Sequence, residues 1–193
     1  MTHQAVVEEE IYTHEFLWRS ATKVLSNEND DSYHFIMPSL LMSYLAFEAF
    51  INFCGYALLP EVWKNEKENF KGKGIEEKIK VITNELPNFN WKKGENPYQT
   101  IKRVGCYRDM LAHGKVVQTT YETTFKNDGS HFRYEHDWDS FLTRKFVLSA
   151  RTCIQDFCNS LLVELRKVSE HNHLNYEAFK GSLGSAKGSP TAS

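Results

Sequence analysis

Tyr98-Gln99-Thr100-Ile101-Lys102-Arg103-Val104-Gly105-Cys106-Tyr107-Arg108-Asp109-Met110-Leu111-Ala112-His113-Gly114-Lys115 is the stretch on which the reading of this chain turns. Ile101, Val104, Tyr107 or Cys106, and Leu111 recur at helical spacing, which predicts one amphipathic helix. Gly114 stands where helices commonly end in a left-handed residue. The final turns carry Arg108 and His113. Five residues along an ideal helix amount to roughly 140° of rotation and about 7.5 Å of rise, so the two side chains flank a groove rather than touch. A guanidinium stays charged and its fork fits phosphate oxygens, whereas imidazole exchanges a proton near neutral pH. The pair suits phosphodiester cleavage. The competing reading is a surface pair at a helix C-terminus, where the macrodipole favours cations.

Outward from this stretch, residues 35–59 predict a second helix, apolar on almost every side and long enough to reach across a bilayer. Pro38 falls in its first turn, Asp31 or Ser32 is placed to cap it, and Pro60 closes it. Glu48 and Asn52 lie four residues apart on one face, in line with Tyr44, and a lone carboxylate at mid-span would be costly in lipid. The sequence therefore reads as the central helix of a bundle, not a membrane span. A buried Glu48 needs a cationic or hydrogen-bonding partner, and Arg108 or Arg103 would serve. Glu48 then either orients Arg108 or forms a structural pair.

Residues 5–26 predict a first amphipathic helix through Val6, Val7, Ile11, Phe16, Leu17, Ala21, Val24 and Leu25. Residues 61–70 predict a short helix with Trp63. Residues 71–74, Lys-Gly-Lys-Gly, form a basic loop without the strand and Gly-Lys-Ser/Thr ending of a nucleotide site. Ile75, Ile79, Ile82 and Leu86 mark a helix over 75–86. In the following loop Phe89 and Trp91 are expected to fold back onto the bundle, with base stacking as the sharper alternative. After Gly114 the period changes, and residues 116–136 predict a β-hairpin turning at 126–130. Asp137 or Asp139 is expected to cap a long last helix reaching Val168. Residues 171–193 read as a polar, Gly/Ser-rich flexible tail. The expected fold is mainly α, one domain over 1–170: a helical bundle of four to five helices with the hairpin before the last one.

With 193 residues, 41% hydrophobic, the chain can bury one core. The net charge of −2 conceals asymmetry. Residues 1–63 hold two Lys/Arg against nine Asp/Glu (−7), and residues 64–115 hold twelve against seven (+5). That basic excess includes Lys102, Arg103 and Lys115 beside the motif, and it either draws in a phosphate backbone or forms ordinary solvated faces. A pI near 6.4 speaks against a dedicated duplex binder. Cys54, Cys106, Cys153 and Cys158 lack metal-ligand spacing and sit in apolar helical patterns, so buried thiols are expected, with no metal and no cofactor. The first residues have no signal-peptide pattern, which points to the cytoplasm.

At Arg108-Asp109-Met110-Leu111-Ala112-His113-Gly114 the sequence resembles the HEPN superfamily, helical proteins many of which carry Arg-x(4 to 6)-His at a helix end. A polar residue after the arginine, a small one before the histidine and glycine after it all fit. Residues 43–52, Ser-Tyr-Leu-Ala-Phe-Glu-Ala-Phe-Ile-Asn, look like that family's long second helix. The spacing recurs at Arg166 with His171 and His173, where no apolar framework holds the pair. The resemblance implies an HEPN-like bundle and a metal-independent endoribonuclease acting on RNA, possessing Arg108 and His113 as catalytic residues and Asp109 and Glu48 as supporting ones. Lys102, Arg103 and Lys115 would contact substrate. It also implies a homodimer through the motif helix and a toxin, defence or stress-response role with an antitoxin or regulatory partner. The alternative it leaves is an inactive regulatory module binding a protein or nucleotide. Toxins of the family that are controlled by nucleotidyl transfer carry a tyrosine two residues after the histidine; here Lys115 stands there.

Overall fold

The computed structural model describes residues 5–26, 32–114, 138–168 and 175–190. The chain is mainly α-helical. Its elements in order are β1 (Ala5–Ile11), α1 (Thr13–Leu25), α2 (Tyr33–Leu58), α3 (Pro60–Lys64), α4 (Glu66–Asn69), α5 (Ile75–Asn84), α6 (Tyr98–His113), a 3₁₀ turn (Asp139–Phe141), α7 (Arg144–Val168) and β2 (Gly184–Pro190). Five of the helices have ten residues or more and match the expected long helices; the short helix expected over 61–70 is split into α3 and α4 at Asn65.

α2 is the axis of the fold. It contacts α1, α3, α5, α6 and α7, which explains why its sequence is apolar all round. Leu40, Phe47, Phe50 and Ile51 are buried to within 1% of full enclosure. By length and composition α2 could cross a membrane, and half of its most apolar window is buried in this fold. Ser32 begins the helix, its side chain accepting from the His34 N–H at 3.3 Å. Ile101, Val104 and Tyr107 of α6 enter the same core, as do Ile154, Phe157, Leu161 and Leu165 of α7. Phe89 and Trp91 do fold back: Phe89 meets Phe157 edge-on at 5.7 Å, and Trp91 meets Tyr98 at 4.7 Å.

Three expectations are corrected. Residues 5–11 are a strand, not the start of α1, because their backbone pairs antiparallel with β2, Ala5 opposite Pro190 through Ile11 opposite Gly184. The C-terminal segment is docked where a flexible tail was expected. Ala178 and Phe179 are 2% and 4% exposed, and Phe179 stacks on Trp18 at 4.1 Å with an 11° interplanar angle. Phe179 has φ +65°, a conformation costing on the order of 1–3 kcal/mol for a bulky residue, which the stacked ring offsets. The last helix starts at Arg144 and not near Asp139. Asp139 opens the 3₁₀ turn, and the Thr143 hydroxyl caps α7 by accepting from the Phe146 N–H at 3.1 Å. The hairpin expected over 116–136 and the cap at Asp137 lie outside the described residues.

Arg151 illustrates how α7 is locked in place. It is 9% exposed and lies over the Trp18 ring at 3.9 Å. It donates to the hydroxyls of Ser43 and Thr22, both at 2.6 Å, and burial lowers its pKa to about 10. Phe179, Trp18 and Arg151 thus form a three-layer stack joining the C-terminal segment, α1 and α7.

Candidate functional site

The Tyr44, Glu48, Asn52 stripe of α2 forms the floor of a cleft of about 460 Å³. One wall comes from α6, with Lys102, Gly105, Cys106, Arg108 and Asp109; the other comes from Lys73, Glu76 and Lys78, at and before α5. Close approach of α6 to α2 requires Gly105: a Cβ there would meet the Tyr44 hydroxyl oxygen at 2.5 Å. That contact sets the guanidinium of Arg108 against Glu48.

Arg108 is gripped from both sides. One terminal nitrogen donates to Glu48 Oε1, and the other donates to Asp109 Oδ1 at 2.6 Å. The guanidinium also lies 5.4 Å from the Tyr44 ring centre. Its Nε is buried and has no partner among the described residues. Of the two arginines open to Glu48 in the sequence, Arg108 is the partner. Arg103 instead lies over Phe141 and Phe146 at 5.3 and 5.4 Å, away from the cleft. Burial raises the pKa of Glu48, and the nearby Arg108 offsets this only in part. Burial opposes the charge of Arg108, yet Glu48 and Asp109 together hold it more firmly protonated.

The remaining cleft charges are also engaged. Lys78, 13% exposed, pairs with Glu66 and donates to Asn52 Oδ1 at 2.8 Å. Lys102 reaches Glu76 at 3.6 Å. A hydrogen bond from Tyr98, then Lys93 and Lys102, holds Glu76 below the usual carboxylate range, while burial pushes Tyr98 up. Lys73 donates to the Asn69 carbonyl at 3.0 Å. The lining carries four cations (Lys73, Lys78, Lys102, Arg108) and three carboxylates (Glu48, Glu76, Asp109), a formal excess of one positive charge.

His113 is exposed and is the last residue of α6, one turn beyond Asp109 and outside the cleft lining. Gly114 ends the helix at φ +54°, its N–H bonded to the Leu111 carbonyl at 3.2 Å. The structure therefore brings Arg108, Asp109, Glu48 and Lys102 to one cleft, leaves His113 outside the lining at the end of α6 and Arg103 on another face, and leaves Lys115 outside the described residues. Cys54 and Cys158 are buried as expected, but Cys106 is exposed in the cleft wall, because Tyr107 takes the core position beside it. Lys78 belongs to the basic excess of residues 64–115 but was not singled out from it as a site residue. Its signal was there: it sits on the apolar stripe of α5, between Ile75 and Ile82, where a lysine must find a partner.

Arg166 of the repeated spacing donates to the Tyr176 carbonyl, while His171 and His173 lie outside the described residues. Among the described residues no three His, Cys, Asp or Glu side chains converge as a metal ion would require. Comparisons of the chain with models of known protein families, with curated proteins and with solved structures found no match.

Proposed function

We infer that the chain is a metal-independent endoribonuclease of HEPN type acting through Arg108 and His113. The observation that carries this reading is Arg108, held by Glu48 at the edge of a lysine-bearing cleft, with His113 exposed at the end of the same helix. The resemblance of residues 43–52 and 108–114 to that family supports it, since the carboxylate of one segment meets the arginine of the other.

In the proposed reaction the 2′-hydroxyl oxygen attacks the adjacent phosphorus and its proton passes to an imidazole. The bond to the 5′-oxygen breaks, that oxygen takes a proton, and the products are a 2′,3′-cyclic phosphate and a 5′-hydroxyl. Arg108 stabilises the charge that builds on the phosphorane oxygens. Lys102, with Lys73 in the same cleft lining, would hold the flanking phosphate, and Arg103 and Lys115 belong to the same proposal as outer contacts. Separate groups accepting and donating protons are supplied most simply by two copies of His113, in a two-fold dimer joining the C-terminal ends of α6. Asp109 keeps two arginines from repelling across that axis. A toxin, defence or stress-response role with an antitoxin or regulatory partner belongs to the same proposal, carried by the same resemblance.

A second reading, an inactive regulatory module, is favoured by one observation: Glu48 and Asp109 both hold Arg108, so a phosphate would meet a guanidinium whose charge two carboxylates already answer. Product analysis separates the two. Mixed RNA and DNA of the same sequence are incubated with the protein in EDTA. Cyclic-phosphate ends on RNA and intact DNA are the expected result; intact RNA favours the module.

A further inference from the structure

A groove of about 600 Å³ opens next to the Arg108 cleft, between the turn joining β1 to α1, the C-terminal half of α2 and Trp63 of α3. The two share Asn52, four residues and about 6 Å along α2 from Glu48. Both hydrogen bonds of the Asn52 side chain fall on Oδ1, which accepts from Trp63 Nε1 at 3.4 Å and from Lys78 Nζ at 2.8 Å. Its amide nitrogen is then a donor without a partner among the described residues. The unpartnered polar atoms shut off from solvent among those residues are Glu15 Oε2 and Arg108 Nε, so the Asn52 nitrogen is open to it. Ala49, Phe53 and Ala57 line the groove at four-residue spacing, with Tyr56 on the neighbouring row of the helix. Tyr56 is 52% exposed and Phe53 is half-buried, so both rings can be reached from outside.

The groove differs from the cleft in charge. Among the described residues no lysine or arginine lines it, and its one carboxylate, Glu10, accepts from the hydroxyls of Tyr12 and Ser185, each at 3.2 Å. A phosphate is disfavoured there, whereas a neutral flat ring can stack on an aromatic side chain and accept a hydrogen bond at its edge. Phe89 and Trp91, the rings that the sequence offered for stacking, are packed against Phe157 and Tyr98 instead. We propose that the groove takes one unstacked base of the RNA whose phosphate lies against Arg108 and Lys102, its ring packed on Tyr56 and Phe53 and an acceptor atom of its edge on the Asn52 amide nitrogen. The inference rests on the ribonuclease reading for its ligand and adds a base subsite to it. One strand then lies along α2, with its charge over the cationic cleft and a base in the uncharged part of the groove.

The test reads binding and not cleavage. The full chain is titrated, followed by amide NMR, with 2′-O-methyl triuridylate, which has no 2′-hydroxyl to attack, and with its three single-abasic forms. Saturable shifts at Asn52 and Tyr56 are expected on the wild type, with one abasic form binding about fivefold or more weakly than the intact trinucleotide. Tyr56→Ala is expected to weaken the intact trinucleotide by a similar factor and to lose nothing further when that base is removed, the non-additivity of two groups in contact. Tyr56→Phe keeps the ring and is expected to bind as the wild type does. Equal binding of the intact and all three abasic forms by the wild type would overturn the proposal with no variant needed. So would an undiminished abasic penalty in Tyr56→Ala. A Tyr56→Ala chain that binds as the wild type but scatters light as a smaller particle would overturn it in favour of a second copy in the groove. The ribonuclease reading fails on a different result, ordinary RNA left intact in EDTA, and Tyr56-dependent binding of the base would then still support the subsite.

Discussion

Glu48 is a carboxylate on the most apolar helix of the chain, and its half-burial is tolerable because Arg108 answers it. Replacing Glu48 with Ala leaves Arg108 with Asp109 alone. Since both side chains keep roughly a quarter to a third of their exposure, the expected loss is about 1–2 kcal/mol rather than that of a fully buried pair. Thermal melts would read this as a Tm lower by about 2–8 °C; an unchanged Tm would mean that the pair contributes nothing to the fold. His14 makes stability depend on pH. Burial depresses its pKa to about 4, against about 6.5 in the unfolded chain. The unfolded state therefore binds a proton that the folded state excludes. Stability attributable to His14 is full above about pH 6.5 and falls as pH drops towards 4, by up to about 3 kcal/mol. Glu15, with a raised pKa, acts in the opposite sense, gaining stability as pH falls, so the two must be separated by mutation. Urea midpoints of wild type and His14→Gln, compared from pH 7 to 4, should diverge in slope, and parallel curves would refute the assignment.

The helices were largely legible because helical periodicity is a local signal. Ile101, Val104 and Tyr107 of α6 are buried as their spacing required. The Tyr44, Glu48, Asn52 stripe of α2 was recognisable as a polar line on an apolar helix, and it became the cleft floor. What sequence could not supply was pairing between distant segments. β1 looks like the first turns of an amphipathic helix, and β2 reads Gly-Ser-Ala-Lys-Gly-Ser-Pro, with no β-branched residue, so nothing local joins them. Phe179 was hidden in the same way, an aromatic in a polar segment whose partner Trp18 lies at the other end of the chain. Phe179→Ala is expected to cost about 3 kcal/mol, the range for a buried phenylalanine. Deleting residues 175–193 should cost more, because Glu15 and Arg19 also lose Gly181. A deletion variant that melts with the full chain would show that the segment does not dock.

For the whole molecule, the core joins α1, α2, α5, α6 and α7, and it places the Arg108 cleft and the Tyr56 groove side by side along α2, meeting at Asn52. The proposed chemistry needs more than one chain, since each offers one motif histidine at the end of α6. Light scattering is expected to report a dimer, and a monomer that cleaves RNA at full rate would contradict that part of the proposal. The central claim is that Arg108 and His113 cut RNA without a metal. Its most direct measurement is the rate of RNA cleavage in EDTA by wild type, Arg108→Ala and His113→Ala, each checked for a native melt. Cleavage by the wild type and a loss of about 100-fold or more in each variant are expected. Equal rates in all three folded proteins, or cleavage that appears only when magnesium is added, would contradict it.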